Sequence, residues 1–168
     1  MRKNFCIKIF MLILCAVVSC SLCACRSTEG NSSKGISSNS YVSKPEKIVE
    51  EIKNKCTLPE MKAISEEQLF TFYGINKEDV AYFSAVVASD SISKDEVAVF
   101  EAMDEGEADT ICDRLQEHYD AVLSECDEYL PDEYKVVKSC SVVKNGIFVR
   151  LFISAEAEKM DEIYNSYF

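Results

Sequence analysis

The chain has no tryptophan, a single histidine, five glycines and three prolines in 168 residues. Each shortage removes a class of chemistry. Any triad or metal cluster must be built around His118, which lies three residues from Leu115 and four from Val122, beside a helical apolar stripe, with no nucleophile or oxyanion motif near it. Five glycines leave no phosphate-cradling loop. Acids are abundant, yet no pair of carboxylates is singled out for glycoside hydrolysis and no tryptophan is present to stack a sugar. Asp104, Glu105, Glu107 and Asp109 do not have the spacing of an EF-hand loop, and helix capping already accounts for them. No metal site and no cofactor are expected.

Basic residues are also scarce, 18 against 29 acids. Removing residues 1–25, which carry three basic and no acidic groups, takes the net charge from −11 to −14. Such a surface repels nucleic acid, anionic headgroups and anionic polymers and favours basic or metal-bearing partners. About 125 residues then remain, enough for one domain with a real core but too few for the two lobes of a solute-binding lipoprotein.

Cysteine is the exception, with nine copies, five of them before residue 26. Cys20-Ser21-Leu22-Cys23 spells C-x-x-C but sits in a segment expected to be removed. Arg2, Lys3 and Lys8 precede the apolar run Ile9 to Val18, which has the length of a secretory core, and Leu22-Cys23-Ala24-Cys25 reads as a bacterial lipobox. Residues 1–24 are therefore expected to form a lipoprotein signal peptide, with Cys25 as the lipidated residue, because two acyl chains make a stable anchor. An uncleaved signal anchor and a lipobox at Val17 to Cys20 are the competing readings of this stretch. Residues 25–43 are rich in Ser, Gly and Asn and read as a tether whose flexible part reaches roughly 20–25 Å. Of the remaining cysteines, Cys112 and Cys126 lie about 21 Å apart if one helix holds both, which excludes a bridge between them. Other pairings of Cys56, Cys112, Cys126 and Cys140 stay open beside four buried thiols.

Residues 44–168 read as a single α+β domain. Pro45 suits a first helical turn before Ile48, Val49, Ile52 and Cys56. A capping box at Ser65 to Gln68 opens a second short helix that Gly74 ends. Val80 to Ser89 and Glu96 to Met103 form a strand pair, and a second capping box at Asp104 to Glu107 starts the longest helix, with Ala108, Ile111, Leu115, Tyr119 and Cys126 on its stripe. Tyr134 to Val143 and Ile147 to Ile153 flank Asn145-Gly146 as a hairpin, with Val142 beside Val149 and Cys140 beside Leu151. Ser154 caps a last helix. The expected fold is a four-stranded antiparallel sheet, strand-strand-helix-strand-strand-helix, with two short N-terminal helices; the two later helices share one face. The other face would carry Val137, Val143, Phe148 and Phe152 as a candidate interaction patch, unless the early helices cover it.

Leu58-Pro59 with Met61, Tyr73-Gly74-Ile75, Glu96 to Phe100, Tyr129-Leu130-Pro131 and Asn145-Gly146 occur in an order that resembles an uncharacterised lipoprotein family of low-GC Gram-positive bacteria with a domain of unknown function. The resemblance spans most of residues 45–168 and implies a surface lipoprotein, with no catalytic residues carried over. The expectation is a lipid-anchored module on the extracytoplasmic face of the cell membrane that binds another envelope protein. The alternative is a small hydrolase using acidic residues.

Overall fold

A computed structural model describes residues 41–168. The expected signal segment, Cys25 and all but the end of the tether lie outside the described residues. Among the described residues, α1 (Lys44–Lys55), β1 (Met61–Ala63), α2 (Leu69–Tyr73), β2 (Val80–Ala88), β3 (Glu96–Ala102), α3 (Glu105–Tyr129), α4 (Pro131–Val137), β4 (Ser141–Asn145), β5 (Phe148–Ile153) and α5 (Ala157–Asn165) follow in order. The fold is α+β, and the sheet is antiparallel with strand order β1-β2-β3-β5-β4.

Local chemistry explains most boundaries. The Ser43 hydroxyl accepts from the Glu46 amide to start α1, and the Asp104 carboxylate accepts from the Glu107 amide at 2.9 Å to start α3. Gly74, at φ +69°, ends α2 in the left-handed region that a side chain would resist. Gly146, at φ +59°, is the first residue of the loop between β4 and β5. A two-residue loop of type II′ places its glycine there.

The central strand β3 is covered on both faces. Ala98, Phe100 and Ala102 point into one core with Ala108, Ile111 and Leu115 of α3, Tyr73 of α2 and Val137 of α4. Phe83 stacks on Phe100 at 5.8 Å, and the Tyr73 ring meets Phe100 edge-on at 5.5 Å. Val97 and Val99 point the other way into a second core with Ile48, Val49 and Ile52 of α1, Phe152 of β5, and Met160, Ile163 and Tyr164 of α5.

Four expectations are corrected. The sheet has five strands, because Met61, Lys62 and Ala63 add an edge against Ala88, Val87 and Val86. Residues from Tyr134 to Val137 are helical, not extended. Pro131 stands in the first turn of α4 with Asp132 and Glu133, and those helix-start features outweigh the β preference of Val136 and Val137. The hairpin turns at Gly146-Ile147, so Val142 faces Leu151 and Lys144 faces Val149, two residues from the expected register with the same residues inward. The last helix does not share a face with α3. It crosses to lie beside α1, leaving α2, α3 and α4 together on the opposite side.

Candidate functional site

Glu96 is the first residue of β3, and its register opposite Val87 and Ile153 turns its side chain towards α3 with those of Ala98 and Phe100. It is only 4% exposed. A carboxylate so placed is costly without a partner. His118, on the flank of the α3 stripe, supplies one, with Nε2 2.9 Å from Oε2. The imidazole is held by rings of α2, with Phe72 at 5.3 Å and Tyr73 at 5.0 Å. The buried Tyr73 hydroxyl lies against the Glu96 carboxylate, whose Oε1 is itself closed off from solvent. Burial, and then the negative charge of Glu96, push that phenol well above the ordinary tyrosine range.

The pair forms a wall of a cleft of about 260 Å³ that also involves Lys62, Phe72, Asp90, Lys94 and Glu125. The Asp90 carboxylate accepts from the amides of Ile92 and Ser93 at 2.8 and 2.7 Å, which closes the turn between β2 and β3. These two bonds, Ser93 first, hold Asp90 below the usual carboxylate range. Lys94 donates from Nζ to Glu125 at 2.8 Å, tying the turn to α3. Phe72, at 36% exposure, leaves part of its ring free at the rim. The imidazole was legible as a singular residue, but its partner lies 22 residues away in a strand. The one available signal was a charged residue in phase with the inward positions 98, 100 and 102.

The residues of the candidate patch are not brought together as one open surface. Val137 belongs to α4 and is fully buried in the core on the α3 side. Phe152 is fully buried under α1 and α5. Val143 shares the Phe152 face by register and is half-buried, as is Phe148. Phe148 is closed over by Phe168 at 4.8 Å and by the Lys44 ammonium at 4.9 Å. The covering helices are the first and the last, not the first two.

That covered face holds a second polar group. The Arg150 guanidinium, 6% exposed, donates to the Ser141 carbonyl at 2.6 Å and pairs with Asp161 of α5 at 2.6 Å, and its Nε has no partner. Burial raises the Asp161 carboxyl, and the Arg150 charge partly offsets this. Burial pushes the neighbouring Tyr164 phenol up to about 12. A phenol raised in the folded state stabilises the fold fully below its unfolded value of about 10, and that stability is lost as pH rises through 12. Alkaline titration followed by phenolate absorbance should therefore contain a late phase to which Tyr164 contributes. Tyr164→Phe should remove a late-titrating group. A late phase of unchanged amplitude in Tyr164→Phe would contradict its placement.

Cys56, Cys112, Cys126 and Cys140 are all unbridged, and burial raises each thiol. They are poor nucleophiles in that state. Among the described residues no group of three or more His, Cys, Asp or Glu is gathered as metal ligands. No described helix is long and apolar enough to cross a membrane.

No curated protein and no solved structure matches the chain. The family model of a domain of unknown function, DUF4358, matches residues 44–154, from the start of α1 to just past β5. That span contains the whole cleft and β1 to β5, with α5 beyond it. The chain thus belongs to the DUF4358 family, whose members share a domain of unknown function.

Proposed function

We propose that the protein is a membrane-anchored extracytoplasmic binding module, lipidated at Cys25, that presents the Glu96–His118 cleft to another protein of the envelope. The observation that carries the reading is the separation of the cleft from the point of chain entry. The Tyr41 ring sits 5.6 Å from Tyr82, which pairs with Glu101 near the end of β3. Glu96 begins the same strand, five residues away, or roughly 17 Å along it. A domain held from its Tyr41 end therefore directs the cleft away from the holding point. The lipobox pattern at Leu22 to Cys25 and the acidic balance support the same reading.

The test is site-specific photo-crosslinking in intact cells from position 72, with Cys25→Ala as the unanchored control. A specific protein adduct that disappears in the control is the expected result. Membrane retention of Cys25→Ala would remove the anchor, and the absence of any adduct would remove the partner.

The Glu96–His118 pair also favours a second reading, a small hydrolase. With Nε2 set against the carboxylate, Nδ1 is the ring nitrogen left to take a proton, which is how a general base is oriented. His118→Ala would abolish such an activity, and an unchanged cellular phenotype in that variant would dismiss it.

A further inference from the structure

We infer that the chain-entry end of the domain rests on the lipid surface itself, through a row of aromatic rings that enters a zwitterionic headgroup layer. The inference rests on the membrane-anchored reading above and adds a second, direct contact to it. Tyr82, Glu101 and Phe148 stand side by side across β2, β3 and β5. Glu101 is in phase with Val97 and Val99, so the three point to the α1 and α5 side of the sheet, at the end opposite Glu96. Tyr41 packs on Tyr82 at 5.6 Å and Phe168 on Phe148 at 4.8 Å, which extends the row on both sides. Tyr41, Tyr82 and Phe168 keep 74%, 44% and 51% of their surface in solvent. The Lys44 ammonium lies over the Phe168 ring at 4.2 Å and adds a cation to the row.

Two features of this end identify the occupant. Rings that keep one part apolar and another in water are the side chains that settle at a membrane interface. The described chain also starts inside the row, at Tyr41, and even fully extended, residues 26–40 span no more than roughly 55 Å from Cys25. A surface held so near by its own chain needs little affinity, because a short linker supplies an effective concentration in the millimolar range. The acidic balance of the chain opposes anionic headgroups, so the rings and not the net charge carry the contact. Glu96 begins the strand that Glu101 nearly ends, roughly 17 Å away, so a domain seated on the row holds its cleft off the lipid.

The chain has no tryptophan, so one introduced at a chosen position is its sole indole fluorophore. The probe is phosphatidylcholine brominated high in its acyl chains, in vesicles into which the chain isolated from cell membranes is reconstituted. Tyr82→Trp and Phe168→Trp should each lose a large part of their emission to the bromines. Tyr129→Trp is the control, because α3 leaves the ring end at Glu105, passes Glu96 at His118 and ends at the exposed Tyr129. Its emission should be unchanged. Replacing Tyr41 and Tyr82 together, Tyr41→Ser with Tyr82→Ser, should lower the quenching of Phe168→Trp severalfold. Two reporters on separate elements keep the comparison valid should one substitution disturb the fold. Equal quenching at all three positions, or none at the two ring positions while the chain stays on the vesicles, overturns the seat and leaves the anchor and the envelope partner standing. A blue shift at the ring positions without quenching means that a second copy or another protein covers them, and it overturns the seat as well. If the chain leaves the vesicles, the anchored reading falls and takes the seat with it.

Discussion

Phe152→Ser is expected to destabilise the domain by about 4 kcal/mol, in the range found for emptying a buried aromatic site, with a further cost for the unsatisfied hydroxyl. Phe152 is fully buried, meets the Tyr164 ring edge-on at 6.0 Å and lies under the Arg150 guanidinium at 5.1 Å. The surrounding helices cannot collapse into the space, because α1 is already seated on β3 and α5 on β5 and α1. A small domain has roughly 5–15 kcal/mol in all, so this variant should melt far below the parent or fail to accumulate. Phe148→Ser, at a half-buried site near the end of the sheet, should cost much less. Chemical denaturation of both variants checks the contrast, and equal losses would contradict the placement of either ring.

The second large effect concerns Arg150 and Asp161. Arg150→Ala should cost about 3 kcal/mol, because it removes the guanidinium from two acceptors and opens a gap over Phe152. Asp161→Asn should cost less than Arg150→Ala, since 35% of the Asp161 side chain still reaches water. Replacing both at once, Arg150→Met with Asp161→Leu, should recover much of the loss, because an apolar pair of similar volume avoids the desolvation that the ion pair must overcome. A double-mutant cycle measures the coupling. Strictly additive losses would show that the two charges do not act as a pair.

The elements legible in the sequence were those set by local chemistry. Pro45, the Asp104–Glu107 cap and Gly74 mark the observed helix ends within a residue or two, and the Ser65–Gln68 capping box starts a 3-10 turn that runs into α2. The 25-residue α3 follows its apolar spacing throughout. What was hidden depends on distant partners. Three residues, Met61 to Ala63, carry too little pattern to announce β1, and they are extended because β2 offers them an edge. Val136 and Val137 favour extension in isolation and are helical because the core on the α3 side receives Val137. The placement of α5 beside α1 cannot be read from either helix, since both have one apolar face and no label for its destination. The same is true of the cleft. His118 stands out in the sequence, but only the register of β3 brings Glu96 beneath it.

The contacts between the first and last helices among the described residues bear on how the domain is assembled. Lys44 donates from Nζ to the Tyr167 carbonyl across 123 residues, Thr57 donates its amide to Glu156, and Lys159 donates to the Lys55 carbonyl. α1 is made well before α5, which begins about 100 residues later and completes the layer that α1 belongs to. Contacts of such long sequence separation are slow to form, because the loop between them must close first. During that interval Ile48, Ile52, Val97 and Phe152 lack part of their cover. The α3 face closes shorter loops, so residues 155–168 are expected to act as a late clasp that makes the first helix stay.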